Sequence, residues 1–263
     1  MDRQSVTAGR DVTEDAFLGG RVRLRQPSRG YRAGVDAVLL AASVQAANRS
    51  LKVLDAGAGV GTVGLCVASR LADASVVLVE HEPTLARLAA ENIALNAVKD
   101  RVTLIEGDLT ARASTLESLG LVPHSFDAVL ANPPYHDRMS GTPARDTARA
   151  GAHAMASGDL QHWAKFLSRM ARSGGTVAMI HKAEAIQEVL SALSPRFGAL
   201  QVLPIFPRPE AAAIRIIVTG VRGSRAPLTL LAPFVLHGAE GNGFTPQAAA
   251  VLRDGAHLAP FAK

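Results

Sequence analysis

Three acids that close apolar runs and one asparagine–proline turn are the residues in this chain whose types and spacing suit chemistry. Asp55 ends the run LKVLD and is followed at once by Gly57, Gly59 and Gly61. Glycines after a strand allow a tight turn and let a ligand approach the backbone closely. In an open parallel sheet, ligands bind beyond the carboxyl ends of the strands. Glu80 closes the next run, where it would accept hydrogen bonds from ribose hydroxyls. Asp108 follows a third run in IEGDLT, placed to accept from an adenine amino group, with Leu109 supplying adjacent backbone. The set points to a cofactor that contains a nucleoside.

Gly59-Val-Gly61-Thr-Val-Gly64 formally matches a dinucleotide fingerprint, but the glycines begin earlier, at Gly57. A carboxylate at Asp55 would repel a pyrophosphate and attract a cation. S-adenosylmethionine carries an ammonium, a sulfonium and no phosphate, so it fits better. The blander accounts are a ligand-free glycine turn and, for Asp108, a helix cap.

Asn132-Pro133-Pro134-Tyr135 is the most specific feature. Two consecutive prolines fix the backbone and remove two donors. The Asn132 side chain and the Pro133 carbonyl can both accept from one planar amino group, and Tyr135 offers a ring for stacking. An exocyclic amine is a poor nucleophile because its lone pair is delocalised. Two acceptors that hold its hydrogens favour a pyramidal nitrogen, and orientation then supplies much of the acceleration. The chemistry needs no metal. It needs no histidine base either, so His81, His136, His153 and His181 are not assigned that role, although His136 beside Tyr135 is placed to touch substrate.

These residues require a scaffold of alternating strands and helices. LKVLDAG, Val76 to Glu80, VTLIEGD, FDAVLANPP and TVAMIH read as strands. Val60 to Leu71, Pro83 to Leu95, Leu160 to Met170 and Ala183 to Leu193 read as helices. Short apolar strands alternating with helices imply an α/β fold with a parallel sheet covered on both faces. IRIIVTGVRG and APLTLLAPFVLHG suggest antiparallel or mixed strands at one edge. Thr245 and Pro246 open a last helix, and Gly255 stops it. Residues 1–50 form an arm with a helix over Val35 to Ala47, packed on a catalytic domain of residues 51–263.

The 263 residues are 48% hydrophobic and 19% charged, enough for a buried core and too apolar for a disordered chain. No run approaches the roughly 20 apolar residues that span a bilayer. The opening residues lack the apolar centre of a secretory signal, and the lone Cys66 excludes an intrachain disulfide framework. The expectation is a cytoplasmic protein without a membrane partner, its oligomeric state left open. The net charge is +5 and most of the cations are arginine. Arg21, Arg23, Arg25, Arg29 and Arg32 fall in a stretch without an acid. That fits a nucleic-acid partner, or simply an arginine-rich proteome. Arg138, Arg145 and Arg149 lie in a long polar segment after the proline turn and are expected to bind RNA, against a plain solvated loop.

The chain resembles class I S-adenosylmethionine-dependent methyltransferases with an NPPY signature, and more narrowly the bacterial tRNA(Val) adenine-N6 methyltransferases. The resemblance rests on GYRAGVDAVLLAA, VLDAGAGVGTVGL, VLVEHEPTLARLAAENIALN, FDAVLANPPYHD and the tail around AIRIIVTGVRGSRAPL. It implies a Rossmann-like, seven-stranded, mostly parallel sheet whose last strand is antiparallel. It implies that Asp55, Gly57 and Gly59 line the methionine end of the cofactor, Glu80 with His81 the ribose, and Asp108 with Leu109 the adenine. Gly34, Val35 and Asp36 would close over the cofactor, and Asn132 would face both cofactor and target adenine. The tail is extended relative to the best-known members. Other acceptors remain open: a protein glutamine amide, guanine N2 of ribosomal RNA, or no acceptor at all in a catalytically silent RNA-binding protein. A nicotinamide-dependent oxidoreductase would leave Asn132 to Tyr135 without a purpose.

Overall fold

The computed structural model describes residues 12–30, 32–46, 49–135 and 159–261. The arm opens with a hairpin of β1 (Val12–Phe17) and β2 (Val22–Pro27), antiparallel from Val12↔Pro27 to Phe17↔Val22. Alternation along β2 buries Val22, Leu24 and Gln26 and exposes Arg23 and Arg25. Helix α1 follows at Val35–Ala42. It stops short of the Ala47 expected from sequence. Its last turn tightens, with Ser43 N–H and Oγ–H both donating to the Leu40 carbonyl, while Arg70 Nη1 donates to the Ala41 carbonyl.

The remaining elements alternate. They are β3 (Lys52–Ala56), α2 (Thr62–Arg70), β4 (Ser75–Glu80), α3 (Pro83–Leu95), β5 (Val102–Glu106), α4 (Ala113–Ser118), β6 (Phe126–Ala131), α5 (Asp159–Met170), β7 (Ala171–Lys182), α6 (Ile186–Leu193), β8 (Phe197–Phe206), β9 (Arg215–Arg222), β10 (Thr229–Leu230), β11 (Phe234–Val235) and α7 (Pro246–Leu252). The sheet order is β10-β8-β9-β7-β6-β3-β4-β5, with β11 also beside β8. Strand β9 is antiparallel to both β7 and β8, and every other pairing in this sheet is parallel. Seven long strands thus form the expected class I sheet. Two-residue β10 and β11 extend it, and they are all that APLTLLAPFVLHG contributes.

Alternation along the strands divides the core in two. Val53, Val76, Leu78, Ala128 and Leu130 face one cluster with residues of α1, α2, α3 and α7. Leu54, Val79, Val129 and Ala131 face the other, with Leu116, Trp163, Leu167 and Val189. Leu18, Val22 and Leu24 of the hairpin belong to the first cluster.

Two asparagines fasten the hairpin. Asn96 Oδ1 accepts from Arg23 N–H at 2.9 Å and its Nδ2 donates to the Arg23 carbonyl at 2.7 Å. Asn92, one helical turn earlier, does the same with Arg25, at 2.7 and 2.9 Å. Side-chain amides on α3 thereby complete the free edge of β2.

Glu82 caps α3 through bonds from Thr84 N–H and Leu85 N–H, with Pro83 in the first turn. Thr245 caps α7 ahead of Pro246. The sequence reading lacked α4 and β8. Gly198 and Pro204 interrupt β8, and such residues argue against a strand when only local pattern is read.

Candidate active site

The turn from β3 to α2 sits over Trp163 of α5. A Cβ on Gly57 would come within 2.3 Å of Trp163 Cη2, so the ring forms the floor of the loop. Gly59, also with positive φ, has nothing among the described residues within 4 Å of its missing Cβ. One glycine is demanded by packing, the next faces open space.

Asp55 is fully buried beneath this loop. Its Oδ2 accepts from Gly64 N–H at 2.8 Å. Burial is the main cause that pushes its carboxyl up to about 7; the nearby Glu80 adds to the rise and the Gly64 N–H opposes it. Among the described residues no cation pairs with it. Glu80 is also buried. Its Oε2 accepts from Gly59 N–H at 2.7 Å, and its Oε1 from His81 N–H at 2.9 Å and Glu82 N–H at 2.8 Å. The carboxylate braces the glycine loop and keeps acceptor capacity in hand, since two oxygens offer about four lone-pair sites.

A cleft lies above the loop. Gln26, Ala33 and Ala37 of the arm, Asp55 and Gly59 of the loop, and Asn132 all line it. Thr62 Oγ1 on the same wall is buried without a hydrogen-bond partner among the described residues. A buried carboxylate without a cation, an orphaned hydroxyl and an open glycine face fit a cationic cofactor carrying polar groups.

The proline turn leaves the end of β6 beside β3. Pro133 is buried, Pro134 exposed and Tyr135 half-buried. Tyr135 Oη lies 3.0 Å from Asn132 Oδ1 and 3.0 Å from Asp36 Oδ2. Arg215 Nε donates to the same Asp36 oxygen at 2.9 Å, and its guanidinium lies 4.9 Å from the Tyr135 ring centre. His181 meets that ring edge-on at 5.0 Å. Burial holds His181 below its ordinary value, so it is neutral at pH 7.

The structure therefore brings together Asp36, Asp55, Gly57, Gly59, Glu80, Asn132 and Tyr135, at the carboxyl end of the sheet. Asp36 points its carboxylate at Tyr135 and Arg215. Gly34 caps α1 and Val35 is exposed. His81 is exposed, with Nδ1 3.3 Å from Glu80 Oε1. Asp108 is exposed and accepts from Thr110 N–H and Oγ1–H, both at 2.8 Å; the cap of α4 is Arg112 instead. Gly107 N–H donates to the Glu80 carbonyl, which sets this turn beside β4, and Leu109 packs against the second core cluster. His136, Arg138, Arg145 and Arg149 lie outside the described residues.

The sequence reading missed three members. Gln26 is buried, takes the Ala33 N–H on Oε1 and donates to Asp15, shaping the approach to α1. Its signal was a polar residue on the apolar register of VRLRQ. Arg215 and His181 reach the site through the antiparallel pairing of β7 with β9. The arginine cluster is largely occupied: Arg23 and Arg25 pair with Glu14, Arg25 also with Glu91, and Arg32 with Asp15. Cys66 is buried, and burial pushes its thiol up to about 12, which removes it from thiolate chemistry.

Fold and site define a class I S-adenosylmethionine-dependent methyltransferase. The methyltransferase small domain model matches residues 33–161. A tRNA1(Val) (adenine(37)-N6)-methyltransferase of Bacteroides thetaiotaomicron is 30% identical over 192 residues, spanning 72% of this chain and 76% of the relative. Its counterpart in Aeromonas hydrophila is 32% identical over 160 residues, spanning 60% and 63%. The crystal structure of a predicted O-methyltransferase from Agrobacterium tumefaciens superposes with a TM-score of 0.71 at 32% identity, over 84% of this chain and 97% of that one. The chain belongs to the tRNA1(Val) (adenine-N6)-methyltransferase family. No helix among the described residues is long and apolar enough to cross a membrane.

Proposed function

We propose that the enzyme methylates N6 of an adenine in RNA, with tRNA as the substrate, in the cytoplasm. The observation that carries this reading is Asn132 on the wall shared by the arm, the glycine loop and the proline turn. An NH2 group brings two hydrogens, and the Asn132 amide oxygen with the Pro133 carbonyl supplies two acceptors. An alcohol brings one hydrogen and would leave one of those acceptors unpaired, which disfavours O-methylation here. The relatives named for tRNA adenine methylation support the same substrate class.

The residues divide the work. Asp55 and Thr62 would hold the cationic and polar groups of the methionine end, Gly57 and Gly59 its approach to the backbone, and Glu80 the ribose. When bound, S-adenosylmethionine supplies an electrophilic methyl carbon. Asn132 and Pro133 pin the two amino hydrogens and turn the nitrogen lone pair toward the cofactor side. Tyr135 stacks the base, and the proton released from nitrogen leaves to solvent.

Incubating unmodified bulk RNA with labelled cofactor, digesting it to nucleosides and identifying the labelled base is the test. Labelled N6-methyladenosine is expected; label in guanosine, or in protein alone, refutes the reading. Asn132→Ala should keep cofactor binding and lose about a hundredfold or more in turnover.

A further inference from the structure

The cleft has two walls from distant parts of the chain. The arm supplies Gln26, Ala33 and Ala37, and the turn after β3 supplies Gly59, Val60 and Thr62. One side chain of α3 touches both. Asn92 is fully buried. Its Nδ2 donates to the Val60 carbonyl and to the Arg25 carbonyl, each at 2.9 Å, and its Oδ1 accepts from Arg25 N–H at 2.7 Å. The Arg25 carbonyl belongs to the peptide that leads into Gln26, and the Val60 carbonyl to the one that leads into Gly61. These partners fix the orientation of the amide, since a flipped amide would set its oxygen against both carbonyls. Both amide hydrogens and the oxygen are therefore committed, as a buried amide requires.

Asn96, one turn further on, grips Arg23 in the same way. Its Nδ2 also bonds the Asn92 carbonyl of its own helix, at 2.8 Å, where Asn92 bonds the loop. The pair thus differs in one respect that matters: Asn92 reaches the glycine loop as well as the arm. We propose that Asn92 is a positioning residue that locks the arm and the glycine loop to each other, so that the seating of the arm sets cofactor affinity. This rests on the reading of the glycine loop as the cofactor site. The docking of the hairpin does not hang on Asn92, because Leu18, Val22 and Leu24 are buried in the first core cluster. What Asn92 adds is the register between the two walls. Its donors sit on one planar amide, so an arm that lifts draws the amide away from Val60 as well. The linkage is reciprocal: the factor that a seated arm adds to cofactor affinity is returned by bound cofactor to the seating of the arm.

Asn96 serves as a built-in control, because its removal loosens the arm and spares the loop. In calorimetric titrations with S-adenosylmethionine, Asn92→Ala should bind about tenfold more weakly, the scale of a buried carbonyl left without its donor. Asn96→Ala should change by less than about twofold. With RNA as acceptor, the loss in Asn92→Ala should lie in KM for the cofactor, with kcat changed far less. A second measurement needs no variant. In the wild-type protein, saturating S-adenosylmethionine should slow hydrogen exchange of the Arg25 amide about tenfold, by the reciprocity above. It decides the matter if Asn92→Ala does not fold. Equal losses of affinity in the two variants would mean that only the fastening of the arm counts, and would overturn the proposal. Undiminished affinity in Asn92→Ala, or a wild-type Arg25 amide that exchanges at the same rate with and without bound cofactor, would overturn it too. These outcomes leave the cofactor site standing. A wild-type protein that does not bind S-adenosylmethionine would overturn the reading beneath.

Discussion

An aspartate stands at each end of strand β3, one its own and one from β6, and the two live in opposite electrostatic worlds. At its entry, Asp127 of the neighbouring β6 accepts from Lys52 N–H at 2.8 Å, Arg49 at 2.7 Å and Arg172 at 2.6 Å. Burial alone would raise its carboxyl, but those donors outweigh it and hold the group well below the usual range. At the exit, Asp55 has one backbone N–H and is pushed up to about 7. The protein neutralises the acid that joins its strands. It leaves the other with a single backbone donor, which is what the proposed role of Asp55 toward a cationic cofactor requires. The cost shows in the pH dependence. Asp127 stabilises the fold above the ordinary carboxylate pKa, and this is lost as pH falls through its lowered folded value. Asp55 has the opposite sign: its contribution is present below the ordinary value and lost as pH rises through 7.

This contrast can be broken by exchange of roles. Asp55→Ala should weaken cofactor affinity about a hundredfold by calorimetry, as expected for a charge-assisted contact, without lowering the melting temperature at pH 8. Asp127→Ala should do the reverse. It should cost about 2–3 kcal/mol in urea unfolding at pH 7, because two arginines lose their partner, and leave cofactor affinity unchanged. The glycines repeat the division on a smaller scale. Gly57→Ala meets Trp163 and should destabilise by about 2 kcal/mol. Gly59→Ala meets open space and should cost about 1 kcal/mol of backbone strain, its larger effect being on cofactor binding. Wild-type cofactor affinity should rise about tenfold between pH 6 and pH 8, because binding a cation favours the ionised Asp55. Proton release seen as a buffer-dependent enthalpy would sharpen the assignment. A flat profile, or one that survives in Asp55→Asn, would sink it.

Strands β3 to β6 were legible because each is a largely apolar run ended by glycine, proline or an acid, a pattern that local reading captures. The helices that begin at Pro83 and Pro246 were legible from their caps. The hairpin was not, because the arginines that alternate with Val22 and Leu24 drew attention as charge and hid a period of two. Arg215 and His181 enter the site only through the pairing of β7 with β9, a long-range register that no window of sequence contains. Asp108 was legible as the end of a strand, but its Asx turn with Thr110 depends on how the chain leaves that strand.

The paired amides of Asn92 and Asn96 carry one more consequence. Arg23 and Arg25 lie on the outer edge of a two-stranded ribbon, where amide protons normally exchange with solvent within seconds to minutes. Here each is held by a helix that mimics a third strand, so both should exchange as slowly as the interior of a sheet. An aspartate at either position, equal in shape but without the NH2, would unfasten only half of each rung. The arm would then loosen at the wall of the cleft while the sheet behind it stayed whole.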